Sequence, residues 1–477
     1  MKRSSWASIA LIGVLVAALV LIGASAAAAT PGWVTTQLTT DASVHDTPVV
    51  YGDRVVWTGN AGGQWQIYTR RFGVDGSPVQ LTTDAHVHSS PQISGDRVVW
   101  TVNDGGVWQV LTQRPGVDAL ASKLTTDTNQ HQFPAVSGGR VGWEARVGGD
   151  WQIFTQKIGA AAVQLTFDAN DHSGPQISGD RLVWQDKLGG HWQIYTRKMG
   201  VDAAPIGLTT DANDHLDPQV SGDRIVWQGK DAGGHWQIYT QKMGVNPVAV
   251  PLTAGASNHV SPRVSGDRVV WVGSDGAHSQ IFTQKIGAAA VQLTSDAHNH
   301  STPEVSGDRV AWLGSDGSHT QVLTEKVGAG APVQLTTDAH NHDDVQVSGD
   351  RVVWRGSDGP HWQIFRAKPV TTPTIYRSPN KNNIYVTRKK HVGRWTLSAK
   401  LKDKDGTLIA GVRVYLQTSR NGRSGWRNTY KLRTNVNGQV SQKFSTRKRG
   451  THYYRWYVPA STGYKKAFGA KQRVRVT

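Results

Sequence analysis

One histidine recurs eight times at nearly constant spacing: His45, His88, His131, His172, His215, His259, His300 and His342. Imidazole is a common ligand for zinc, copper and nickel, and its charge switches near neutral pH, so eight in one register could form repeated ligand sites. His191, His235, His278, His319 and His361 stand before a second recurring block, and the doublets "HVH" and "HNH" add His86, His298 and His340. These residues should together make one rim rich in imidazole. The architectural reading is the stronger of the two, because a residue present in every unit usually solves a problem that every unit has, such as tying one loop to its neighbour. Aspartates precede most of these histidines (Asp41, Asp84, Asp127, Asp168, Asp211, Asp296 and Asp338), where they should hydrogen-bond loop backbone. No "D-x-D-x-D-G" run supplies the converging oxygens that calcium needs.

Other catalytic chemistry has little to work with. The chain has no cysteine and only three glutamates, Glu144, Glu304 and Glu325. It lacks "HExxH", "GxSxG" and a phosphate-cradling glycine loop. Departures from the repeat, such as Glu144, Arg146, Lys187, Lys230, Arg263 and Glu304, are the places where a singular site could hide. No cofactor is predicted, and a divalent ion is the one group that the histidine rim could take up.

The elements that carry these residues are short strands. A "GDRVVW"-like block ends at Trp57, Trp100, Trp143, Trp184, Trp227, Trp271, Trp312 and Trp354, eight copies spaced 41 to 44 residues apart. Each is followed by a glycine-containing turn, a "WQIYTQK"-like block and a "VQLT"-like block. Val, Ile, Trp, Tyr and Thr dominate the blocks, and Gly, Asp and Asn separate them, as strands and hairpin turns require. Four strands in about 43 residues is the size of a propeller blade. The chain opens with the unpaired "TTQLTT" of residues 35–40, while the eighth unit ends at "WQIFRAK" with no such strand after it. The first strand can therefore complete the last blade. The fold class expected is all-β: an eight-bladed propeller over residues 30–368, closed by its N-terminal strand.

The "RVVW" tryptophans should pack between blades. Trp65, Trp108, Trp151, Trp192, Trp236 and Trp362 abut a loop and should lie nearer the surface.

The blocks "P-x-[VI]-S-G-D-R-[VIL]-V-W" and "G-x-W-Q-I-Y" resemble TolB-type propeller repeats, especially those arrayed in bacterial and archaeal cell-surface proteins. TolB repeats carry "S-P-D-G" where this chain has "S-G-D-R", and the usual TolB ring has six blades. WD40-type propellers use a histidine in the equivalent loop for a structural hydrogen bond.

The ends of the chain add two expectations. Residues 1–29 combine Lys2 and Arg3 with an apolar run and small residues, the pattern of a signal peptide, so the protein should be secreted or held at the cell surface. Membrane contact is expected only through this segment, were it left uncleaved. After a linker at 369–383, residues 384–477 read as seven strands in an immunoglobulin-like β-sandwich, and they resemble the Ig-like modules of secreted actinobacterial proteins. Residues 30–372 hold 25 Lys and Arg against 33 Asp and Glu, whereas residues 373–477 hold 25 against 2. The basic module should attract an anionic cell-wall polymer through Arg388, Lys389, Lys390, Arg447, Lys448, Arg449, Lys465 and Lys466. Export argues against nucleic acid as a partner.

The function expected from these observations is non-catalytic: a propeller face that binds an extracellular glycan or protein, with the basic module held on the wall. The alternative is a metal-dependent polysaccharide lyase or hydrolase using the rim histidines. An enzyme should concentrate polar departures from the repeat around one pocket, and a scaffold should scatter them.

Overall fold

The computed structural model describes residues 32–378, 382–387, 392–403, 408–409, 411–435, 437–461 and 464–477. The signal segment and Arg388, Lys389 and Lys390 lie outside the described residues.

Every described element is a strand, and residues 33–369 form eight four-stranded antiparallel sheets. The first sheet shows the pattern: an inner strand His45–Tyr51, then Arg54–Ala61, Gln64–Arg71 and a two-residue outer strand Val79–Gln80. In the last sheet the outer strand comes from the start of the chain, Trp33–Gln37, paired antiparallel with Trp362–Pro369. The β-propeller character and the closure by the N-terminal strand are thus as the sequence implied.

Packing joins neighbours around the whole circuit. Each propeller core cluster spans two consecutive sheets. One of them sets Leu38, Val353 and Ile364 of the last sheet against Val55, Trp57 and Phe72 of the first. All eight "RVVW"-block tryptophans are fully buried in these seams, whereas the six beside the glycine turns are half-buried. A fully buried aromatic or aliphatic side chain contributes roughly 1.5–3 kcal/mol, so the ring is held mainly by its seams.

Polar ties at the "SGDR" end reinforce them. The Gly52 N–H donates to Ser348 Oγ at 2.8 Å, and six further glycines donate in the same way to the serine of the preceding sheet. The step from the first sheet to the second lacks this bond because Tyr51 stands where the others have serine. Arg140, Arg181, Arg224, Arg268 and Arg309 each reach the aspartate of the next sheet at 2.7–3.1 Å. Arg97 has no such partner, because Gly139 replaces that aspartate.

The basic C-terminal region folds as two sheets around one core that includes Leu397, Leu416, Trp456 and Val474. All seven expected strands are present. Part of the expected linker is also a strand: Thr374–Ser378 pairs with Gly393–Lys402.

Candidate functional site

Seven of the recurring histidines are buried and His259 is half-buried, and their hydrogen bonds show why. In the first sheet His45 Nε2 lies 3.0 Å from Asp41 Oδ1, and Trp57 Nε1–H donates to His45 Nδ1 at 3.0 Å. An indole nitrogen can only donate, so Nδ1 must be the bare nitrogen and Nε2–H must donate to the aspartate. His88, His131, His300 and His342 repeat this arrangement with both partners, as does His215. His259 keeps the tryptophan but faces Gly255 where the others have aspartate. Burial holds the imidazoles of His88, His259 and His342 below the usual 6.5. With Nδ1 taken by tryptophan in all seven and Nε2 by aspartate in six, the ligand reading gives way to a structural one. The histidine-based lyase or hydrolase falls with it.

His172 is the exception. Its register partner is Asp186, where other sheets have glycine, alanine or valine. Space there is tight: a Cβ built on Gly59 would sit 2.7 Å from His45 Nδ1. In the fourth sheet the Trp184–His172 bond is absent, and Trp184 Nε1, His172 Nδ1 and Asp186 Oδ1 are all buried without a hydrogen-bond partner. Burial raises the Asp186 carboxyl above its usual range, with the His172 charge opposing. Asp168, His172 and Asp186 are the one histidine–carboxylate trio close enough to invite a metal among the described residues. They do not fit one. Asp168 faces Nε2 at 2.9 Å and Asp186 faces Nδ1 at 3.7 Å, on different edges of the ring, so a single ion cannot take both carboxylates and the imidazole.

The concave site lies on the axis at the histidine end, a cavity of about 520 Å³ to which every sheet contributes. Each inner strand breaks register two residues after its histidine. At that bulge stand Thr47, Ser90, Phe133, Asp217, Ser261, Thr302 and Asp344, all with φ between +45° and +55°, and Gly174 at +66°. The left-handed region costs a non-glycine residue of order 1 kcal/mol or more, and here it is occupied around the whole ring. Side chains of the preceding sheet cap the strained backbone in places. Gln185 Oε1 accepts from the Asp217 N–H at 2.7 Å, Gln228 Oε1 from Ser261 at 2.8 Å and Glu144 Oε2 from Gly174 at 3.3 Å. Burial raises the Glu144 carboxyl.

The bulge turns unequal residues toward the axis. Arg263 and Glu304, from the sixth and seventh sheets, form an ion pair at 2.8 Å on the cavity wall. Asp344 of the eighth sheet also lines the cavity, close enough to the Asp46 carboxyl of the first for the two to interact. Behind them Arg355 bridges Asp46 at 2.9 Å and grips Asp343 through two nitrogens. Three carboxylates thus share one guanidinium. Burial, then the charge of Asp343, push the Asp344 carboxyl up to about 6, Arg355 opposing and Asp46 adding to the rise. Arg355 itself is held above its ordinary range, chiefly by its bonds to Asp343.

Of the departures noted in the sequence, the cavity joins Arg263 with Glu304 and has Glu144 as a supporting cap. Lys187 and Lys230 instead cover Trp192 and Trp236, and Arg146 donates to the Gly149 carbonyl. Asp46 and Asp344 were missed. The signal was there: "HDDV" followed by Arg355 departs from the other units. Arg447, Lys448, Arg449, Lys465 and Lys466 are all exposed on the C-terminal region.

No family model matches the chain, and no curated protein matches it. Among solved structures, the chain is similar to the propeller domain of the trilobed protease from Pyrococcus furiosus, described as having an open velcro topology, with 12% identity and a TM-score of 0.45 over 62% of this chain and 98% of that one. It is also similar to a prolyl endopeptidase, with 16% identity and a TM-score of 0.49 over 78% and 54%. For a puromycin hydrolase the values are 14% and 0.46 over 67% and 59%. This chain spans a little over half the length of the last two. The first of these is itself a β-propeller domain. The unequal charged residues Arg263, Glu304 and Asp344 gather on one axial cavity, as an active site requires, and the expectation of a non-catalytic binding scaffold is corrected on that ground.

Proposed function

We propose that the axial cavity is a hydrolytic site for an extended peptide, with the Asp344 carboxyl as its acid–base group. One observation carries this reading: the Asp344 carboxyl, with Asp46 beside it, opens on the axial cavity that Arg263 and Glu304 also line, and it is held near 6. A pair whose surroundings push one acid upward can hold a proton on one carboxyl and a charge on the other. Ionised, Asp344 draws a proton from water as the water oxygen attacks the peptide carbonyl. Protonated, it returns that proton to the departing amine as the C–N bond breaks, leaving a carboxylic acid and a free amine. Gln92, Gln176, Gln219 and Gln346 line the same wall with amides that both donate and accept, as a peptide group requires. Arg263 supplies a cation for the developing oxyanion. The likeness to peptidase propellers, at that level of similarity, concerns architecture alone.

The reading includes an eight-bladed ring of TolB-like repeats, an immunoglobulin-like sandwich after it, and export to the cell surface or beyond. Eight sheets with seams between all neighbours support the first, and the two-sheet core around Trp456 supports the second. The N-terminal pattern supports the third. The exposed basic residues remain the proposed contacts to an anionic wall polymer.

Mass spectrometry of a mixed peptide library incubated with the full chain tests the function. Cleavage by the wild type that is lost in Asp344→Asn, with circular dichroism unchanged, is the expected result. Intact peptides throughout would refute it.

A further inference from the structure

A second cavity, of about 310 Å³, lies at the opposite end of the ring, where the first and eighth sheets meet the C-terminal domain. Its propeller wall carries Arg70, Arg351, Arg366 and Lys368, and Tyr464 and Ile409 close it from the C-terminal side. Lys368 is already neutralised: its Nζ lies 2.6 Å from Asp403 and 3.1 Å from Tyr464 Oη. Arg351 donates to the Gly52 carbonyl at 2.6 Å, and Arg70 to the Gly76 carbonyl at 3.0 Å.

Arg366 is different. Its guanidinium lies 4.0 Å from the Phe72 ring centroid, its Nε is buried without a partner, and it makes no hydrogen bond or ion pair with any described residue. The Arg70 Nε is likewise buried and unpartnered. Asp75 is the one carboxylate on the described wall, and it already accepts from the Arg71 N–H at 2.5 Å. Burial and the neighbouring charges of Arg351 and Arg70 push Arg366 down to about 10, so it still carries its charge at neutral pH. Crowding like charges away from water is costly unless an anion compensates them.

We propose that this junction cavity binds a phosphate group, carried by a small phosphorylated molecule or by a phosphate-containing polymer. Guanidinium groups match phosphate oxygens with paired N–H donors, and Arg366 and Arg70 have donors to offer. Because Arg366 comes from the closing strand Trp362–Pro369 and Tyr464 from the C-terminal domain, a bound phosphate fastens that domain to the ring. The site is separate from the axial cavity, and its failure would leave the peptide reading untouched.

Calorimetric titration and thermal melting of the full chain with inorganic phosphate, against potassium chloride at equal ionic strength, test this. One phosphate per chain and a rise in melting temperature of about 3 °C or more are expected. Arg366→Met keeps the stem over Phe72 and removes the charge. It should bind at least about tenfold more weakly while melting no lower than the wild type without phosphate. Arg70→Gln should also weaken binding and serves if the first variant does not fold. Binding of inorganic phosphate alone would assign the site to small ligands, and tighter binding of poly(glycerol phosphate) that depends on Arg366 would assign it to a polymer. Equal shifts with chloride, or wild-type binding by both variants, would overturn the proposal.

Discussion

Replacing Asp344 with asparagine should stabilise the protein at neutral pH. The folded carboxyl sits at about 6 against an ordinary 3.8. At ~1.4 kcal/mol per pH unit, that difference corresponds to about 3 kcal/mol for a fully desolvated group. The side chain is 45% exposed, however, and solvent screening reduces this to about 1 kcal/mol. The sign follows from proton uptake. Between 3.8 and about 6 the folded chain holds a proton that the unfolded chain has released, so stability falls as pH rises through that window and the full penalty applies above it. Asparagine carries no charge at any pH. Urea unfolding followed by tryptophan fluorescence should give a variant more stable by about 1 kcal/mol at pH 7.5, with the advantage shrinking toward pH 4. A variant less stable than wild type at pH 7.5, or an advantage independent of pH, would refute the electrostatic reasoning around Asp46, Asp343 and Arg355.

Other consequences are as direct. Asp186→Gly gives His172 the room that His45 has, and recovery of the Trp184 hydrogen bond should add about 1–2 kcal/mol to the urea-unfolding free energy; no gain would mean that Asp186 does not displace the ring. Tyr51→Ser supplies the missing eighth serine tie, so the Gly95 amide should exchange more slowly with deuterium, and unchanged exchange would argue against the hydroxyl's role at the other seven steps. His88, His259 and His342 stay neutral in the fold below 6.5, where the unfolded chain takes up protons. Their contribution is complete above that pH and is lost as pH falls through it. Melting temperatures measured in the Asp344→Asn background should decline from about pH 6.5 downward, and a flat profile would contradict the buried neutral rings.

The repeat made most of the propeller legible, because a 41 to 44 residue period with strand-forming blocks leaves few other ways to bury eight tryptophans. The outer strands are shorter than "VQLT" implies. After Val79–Gln80 the Thr82 hydroxyl, at 2.9 Å, takes the Ile67 N–H that a longer ladder would have paired. Thr374–Ser378 was hidden by its flanking prolines, since its order comes from pairing with residues 398–402. The histidine was readable as architecture, but its tryptophan partner was not, because a bond across twelve residues needs the strand register. Least legible was the candidate site. Asp46 and Asp344 lie at opposite ends of the ring-forming chain and meet only because the first and last sheets become neighbours. Their direction toward the axis depends on bulges that an alternating strand pattern does not encode.

The most direct test of the peptide-hydrolysis account is the pH dependence of kcat/KM on the best-cleaved library peptide, for wild type, Asp344→Asn and Asp46→Asn. The account predicts a wild-type profile with an inflection near 6, loss of activity in Asp344→Asn, and an inflection displaced downward in Asp46→Asn, where the carboxyl pair is broken. Equal rates in wild type and Asp344→Asn across the profile would contradict it.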